Sequence, residues 1–154
     1  MNNVLETNEK SEVQTSVEGS LALDDIHYLW PMMQRHSAQA GESLWREGEM
    51  DGCWGMLVRG RVKVVKETEN LGHRVVLGLF GPGSLIFDSA FGQDHPRETS
   101  AVAMDEVEIL YLPKQHFEKI LTDRPILGHR LYRFVLSSVA EQLRHANSRL
   151  ASIF

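Results

Sequence analysis

The chain has 154 residues, 42% of them hydrophobic, 24% charged and 8% aromatic, which is the make-up of one globular domain with its own core and excludes wholesale disorder. A formal charge of −5 opposes binding to nucleic acid over the whole surface, because phosphate affinity needs a basic field. No run of about 18 apolar residues marks a membrane span, and the single Cys53 excludes an intramolecular disulfide or a multi-cysteine metal site, so a cytoplasmic protein is expected.

Residues 1–20 are polar and contain no aromatic side chain. They lack the basic-then-apolar order of a secretory signal. Lys10 against Glu6, Glu9, Glu12 and Glu18 places −3 of the total charge there. The composition predicts a disordered tail, or else a helix that orders on a partner. From Leu21 to about Gln39, Ile26, Leu29, Trp30 and Met33 recur at helical spacing behind Asp24 and Asp25, which suit a first turn. Pro31 predicts a short or kinked helix.

Between Glu42 and Leu112 the pattern changes to short β-rich stretches separated by Gly, Pro and Asn. Strands are expected at Ser43–Arg46, Cys53–Val58, Arg61–Lys66, Val75–Phe80, Ser84–Ile86, Ser100–Met104 and Val107–Leu112. Arg61-Val62-Lys63-Val64 and Glu106-Val107-Glu108-Ile109 alternate polar and apolar residues, the period of a strand with one wet and one buried face. Many short strands at close spacing predict an antiparallel barrel or jelly roll. Gly41, Gly48, Gly60 and Gly83 sit at strand edges, where left-handed or tight turns are expected. After Pro113 the period becomes helical again. Lys114–Leu121 is expected as a short helix, and Pro125, at a favoured first-turn position, opens a long one that runs to near Ile153.

Catalytic signatures are missing. The chain has no Gly-x-Ser-x-Gly elbow, no phosphate loop ending Gly-Lys-Ser/Thr and no His-Glu-x-x-His. Gly81-Pro82-Gly83 joins two strands and reads as a tight turn rather than a dinucleotide loop. The seven histidines do not fall at metal-ligand spacing, and no metal site is expected. The chain is therefore not expected to be an enzyme.

Three stretches, taken together, resemble a known family: Ala40-Gly41-Glu42-Ser43-Leu44-Trp45-Arg46-Glu47-Gly48-Glu49, then Leu57-Val58-Arg59-Gly60-Arg61-Val62-Lys63-Val64, then Val75-Val76-Leu77-Gly78-Leu79-Phe80-Gly81-Pro82-Gly83-Ser84. They are similar to the cyclic-nucleotide-binding domain of the bacterial catabolite-activator/FNR-type regulators, in order and over roughly Leu21 to Leu150. The resemblance implies an eight-stranded antiparallel jelly roll followed by a short helix and a long C-terminal helix. It divides the chain into a tail (1–20), a sensor domain (21–124) and a dimerisation helix (125–154).

The resemblance also implies a ligand site. In the family a short helix offers backbone N–H groups to the cyclic phosphate, an arginine forks onto the same phosphate, and a glutamate accepts from the ribose hydroxyl. The matching residues here are Phe87, Asp88, Ser89 and Ala90, then Arg97, Glu98 and Thr99. Arg97 suits the phosphate role. Asp88 keeps a carboxylate one methylene shorter. Phe87 stands where the family has a glycine, and Glu98 where it has a small residue. A carboxylate beside a phosphate in a half-buried site costs about 1–4 kcal/mol, unless Glu98 pairs with Arg97 inside a repurposed cavity.

In the last helix, Leu136, Val139, Leu143, Ala146, Leu150 and Ile153 step by three and four residues in alternation, a heptad seam. The seam serves either the chain's own barrel or a partner helix. The resemblance implies a parallel homodimer, and it gives Asn147, beside the seam, a contact with the ligand's base. Arg130, Arg133, Arg144 and Arg149 are expected on a solvated face. Family members that regulate transcription follow this helix with a DNA-reading domain, and this chain, ending at Phe154, is expected to hold none. The expected function is regulatory binding of cAMP or a related cyclic nucleotide, signalled through the C-terminal helix. The alternative is a related domain that senses haem, a small metabolite or a dinucleotide, or that serves as an interaction module.

Overall fold

A computed structural model describes residues 10, 21–50, 54–69, 72–86 and 94–153. Of the expected tail only Lys10 falls within these residues; its ammonium lies 5.2 Å from the centroid of the Trp30 ring. Helix α1 (Leu23–Leu29) begins where Asp25 Oδ2 accepts the Ala22 N–H at 2.9 Å, satisfying one orphan donor of the first turn. Pro31 sits in a single 3₁₀ turn, Trp30–Met32, that ends the helix.

The chain does not stay helical to Gln39. It enters β1 (Gln34–Ala38), which the sequence reading did not anticipate. Gln34 to Ser37 are all exposed, so no alternation of polarity marks the strand. The strand is held by pairing with β8, from Gln34 opposite Tyr111 to Ala38 opposite Val107, and by the burial of Ala38 alone. The other strands fall within a residue of their expected limits: β2 (Ser43–Trp45), β3 (Trp54–Arg59), β4 (Val62–Glu67), β5 (Arg74–Phe80), β6 (Leu85–Ile86), β7 (Ser100–Ala103) and β8 (Val107–Leu112). Helices α2 (Lys114–Asp123) and α3 (Pro125–Ala151) follow.

Among the described residues the eight strands form two antiparallel four-stranded sheets, ordered β1-β8-β3-β6 and β2-β7-β4-β5. This is the jelly roll expected. Ala38, Trp45, Leu57, Val62, Val64, Ile86, Ala101, Ala103, Val107 and Ile109 fill its interior. A second cluster packs the outer face of the first sheet against the helices: Trp54, Met56, Leu110 and Leu112 meet Ile26, Leu29, Phe117, Ile120, Leu127, Leu131, Phe134 and Val135. Strands β3 and β8 are thus covered on both faces, which explains why each carries apolar residues on its second face as well.

All four glycines expected in special turns have φ between 82° and 91°. Gly60, between β3 and β4, is the most constrained. A Cβ there would lie 2.3 Å from the Glu106 carbonyl oxygen and 2.7 Å from Val107 Cγ1. The turn is closed by Asp105, whose Oδ1 accepts the Arg61 N–H at 2.6 Å and whose Oδ2 accepts Arg61 Nε at 2.8 Å. These bonds hold the Asp105 carboxyl below the ordinary carboxylate range. Helix α3 is anchored by its first half, where Leu127, Gly128, Leu131, Phe134 and Val135 are buried. Arg130, expected on a solvated face, instead pairs with Asp25 of α1 at 2.7 Å.

Candidate functional site

Arg97 is the one charged side chain buried among the described residues, with 2% of its surface exposed. Burying a guanidinium is costly without compensation. Here the compensation includes Trp45: Arg97 Cζ lies 4.4 Å from the centroid of the indole, within the range of a cation–π contact worth about 2 kcal/mol when desolvated. Trp45 is itself 2% exposed and belongs to the barrel interior. Its place follows from β2, where the pattern of burial brings Trp45 inward while Arg46 and Glu47 enter the turn beyond.

The backbone around Arg97 is fastened from several sides. Arg97 N–H donates to Glu49 O at 2.8 Å, and Gly48 N–H donates to Arg97 O at 2.9 Å. Lys66 Nζ donates to Glu98 O at 2.7 Å and to Glu47 Oε1 at 3.1 Å. Glu47 N–H donates to Ser100 Oγ at 2.9 Å. At the start of the segment Asp94 accepts from Lys114 Nζ of α2 at 2.8 Å. That hydrogen bond lowers the Asp94 pKa and raises that of Lys114.

A cavity of about 860 Å³ opens beside this segment, between β4 and β5 on one side and the second half of α3 on the other. Apolar walls come from Val64, Val76, Leu77, Leu79, Phe80, Val139, Leu143 and Ala146. Polar groups come from Lys66, Glu98, Thr99, Gln142, His145 and Arg149. A concave apolar site with a few convergent polar groups is the form expected of a small-molecule site. Two side-chain bonds clasp α3 to the barrel beside it: Gln142 Nε2 donates to Leu85 O at 3.1 Å, and Arg149 Nη2 donates to Leu77 O.

The structure therefore sorts the sequence-derived candidates. Glu98 and Thr99 line the cavity, and Arg97 is inside the barrel one residue earlier. Glu98 is exposed while Arg97 is buried, and the carboxylate feared as a repulsive neighbour shares its wall with the Lys66 ammonium. Asn147 is exposed and is not part of the cavity wall. Phe87, Asp88, Ser89 and Ala90 lie outside the described residues. The sequence reading missed Lys66, Gln142, His145 and Arg149. Lys66 looked like the wet face of a strand. The three helix residues sit at helical spacing with Val139 and Ala146, but that spacing had been assigned wholly to the seam.

The arrangement is a jelly-roll barrel with a buried arginine, flanked by a long helix across an apolar cavity. The family model for the cyclic nucleotide-binding domain matches residues 35–124, and the chain belongs to that family. Among its relatives are the cyclic AMP receptor protein of Thermus thermophilus, 25% identical over 130 residues that cover 84% of this chain and 58% of the relative. A CRP-like cAMP-activated global transcriptional regulator of Mycobacterium tuberculosis is 25% identical over 113 residues, 73% of this chain and 48% of the relative. The chain thus spans about half the length of these relatives. In fold it is similar to the crystal structure of a cyclic nucleotide-binding domain from Methylobacillus flagellatus (TM-score 0.86, 22% identity, 94% of this chain and 84% of that one). Among the described residues no helix is long and apolar enough to cross a membrane.

Proposed function

We propose that the chain is the effector-binding module of a regulator, that its effector is a cyclic nucleotide with cAMP the first candidate, and that α3 carries the signal. The observation that carries this reading is the buried Arg97 guanidinium, over the Trp45 ring, in the segment whose next two residues line a cavity large enough for a nucleotide. A planar guanidinium in a water-poor site suits a phosphate, to which it presents a fork of N–H donors. The apolar walls suit a purine and ribose. The names of two relatives, a cyclic AMP receptor protein and a cAMP-activated regulator, favour the same effector. We read the module as a sensor because the names of these relatives are those of a receptor and a regulator.

Signalling follows from which residues form the cavity. Its helical wall is α3, the first half of which is locked to α1 and α2, while the second half is held by Gln142 and Arg149. An effector that binds one position of that half better than another shifts the equilibrium between them by its differential affinity. The seam supplies the readout. Leu136, Leu150 and Ile153 are 58 to 72% exposed and do not line the cavity, and a parallel homodimer through α3 would use them. Calorimetric titration with cAMP and cGMP tests the reading: saturable binding supports it, and no heat with either nucleotide at high micromolar concentration sinks it.

A second reading, a relative tuned to a different ligand such as haem, a small metabolite or a dinucleotide, draws on Glu98, whose carboxylate stands on the cavity wall. Soret absorption of the purified protein would reveal haem. Binding that survives Arg97→Ala would favour a ligand without a phosphate.

A further inference from the structure

We propose that Trp45 is the positioning residue for Arg97, and that its indole holds the guanidinium where it meets an anionic ligand. The inference deepens the reading above and rests on it. Trp45 and Arg97 are each 2% exposed, and the guanidinium carbon stands 4.4 Å from the ring centroid. A cation–π contact restrains the position of a guanidinium without using its N–H donors. The two residues after Arg97 line the cavity, so the position in which Trp45 holds the guanidinium decides how its donors address a ligand held there.

The choice of tryptophan supports this role. Trp45 Nε1 is buried and has no hydrogen-bond partner among the described residues. A buried indole normally finds one, and an orphaned buried donor is destabilising. If bulk alone were needed, phenylalanine or leucine would fill the barrel without that cost. Tryptophan is the side chain with the strongest attraction for a cation over its face, and that is the property used here. The backbone restrains the same pair: β2 carries Trp45, and Gly48 and Glu49, three and four residues further on, hydrogen-bond both the N–H and the carbonyl of Arg97. Indole and guanidinium thus belong to one rigid unit.

The test measures cAMP affinity by calorimetry in the full chain and in Trp45→Leu, Trp45→Phe and Trp45→Tyr, with thermal unfolding as the control for folding. Trp45→Leu is expected to weaken binding about tenfold, and Trp45→Phe and Trp45→Tyr about threefold, following the order of cation–π strength. Should Trp45→Leu fail to fold, the two ring-bearing variants carry the test. A Trp30→Phe/Trp54→Phe background leaves Trp45 as the only indole, and its emission is expected to shift on adding cAMP and to shift again on Arg97→Met. Folded Trp45 variants with unchanged or tighter affinity would overturn the positioning role while leaving the cyclic-nucleotide reading intact. No binding by the wild-type chain would overturn both.

Discussion

Replacing Arg97 by Met separates ligand binding from stability, because the two depend on different properties of the same side chain. For binding, the loss is a fork of charge-assisted hydrogen bonds to phosphate. Each such bond is worth about 1.5–3 kcal/mol, and a pair sums to about 3–6 kcal/mol. The dissociation constant for cAMP should then rise by about two to four orders of magnitude. For stability, two terms oppose. The stack on Trp45, at 4.4 Å, contributes about 2 kcal/mol. Removing a charge from a site with 2% exposure relieves a desolvation cost, and replacing buried charges with apolar groups of similar volume is often neutral or stabilising by about 1–4 kcal/mol. Met fills most of the volume of the arginine stem and brings a thioether that itself favours aromatic contact. The net change in stability should stay within about 1 kcal/mol, or roughly 4 °C in the melting temperature of a chain this size. Calorimetric titration and thermal unfolding of the two proteins side by side give both numbers. Unchanged cAMP affinity in a folded variant would refute the phosphate role; a melting temperature lowered by far more would show that Arg97 is chiefly a structural strut.

Other predictions concern the helix, a turn and pH. Leu136→Lys lies on the seam, is 67% exposed and does not line the cavity; it should weaken a homodimer by about a hundredfold, from about 1.5 kcal/mol of lost burial on each protomer, without altering the melting behaviour of the monomer. Sedimentation velocity across a concentration series checks it, and an unchanged association constant would place the dimer contact elsewhere. Gly60→Ala forces a Cβ to 2.3 Å from a backbone oxygen at φ +82° and should destabilise by about 2–4 kcal/mol in urea titration. Asp94 and Asp105 have lowered pKa values, chiefly through hydrogen bonds from Lys114 and Arg61 respectively. Their contribution to stability is therefore present above the ordinary carboxylate pKa of 3.8 and is lost as pH falls through the lowered values. Asp105→Asn should flatten the acid side of the stability profile; a profile identical to wild type would show that the Arg61 contact does not form in solution. Lys114, raised by Asp94, contributes below pH 10.5 and loses that contribution as pH rises through its higher value, so Lys114→Met should soften the alkaline limb of the same profile.

The fold was legible wherever local physics and burial agree. Strand β4 and the first residues of β8 alternate because one face is inside the barrel, and Gly60 and Gly83 mark turns because only glycine tolerates their φ at no cost. β1 was not legible: Gln34 to Ser37 have no buried face, and an edge strand held by a backbone ladder leaves no mark on polarity. The site divides along the same line. Arg97 was readable as the phosphate candidate from the resemblance alone, although Phe87 and Glu98 depart from the family pattern. Sequence spacing also found the apolar stripe of α3, but it could not say that Val139, Leu143 and Ala146 wall a cavity as well as belonging to a seam.

What the amino-acid sequence determines by itself is therefore the β-roll and two-helix order and the left-handed glycine turns. These depend on short-range backbone preferences and on which residues can be buried. Only the tertiary structure decides that Arg97 lies on Trp45, that Lys66 bridges Glu47 and the Glu98 carbonyl, and that Gln142 and Arg149 clasp α3 beside the cavity. Each of those contacts joins residues between 19 and 72 positions apart. Their meeting is fixed by how two sheets and a helix pack, and a periodicity read along the chain carries no information about which distant side chain will stand opposite.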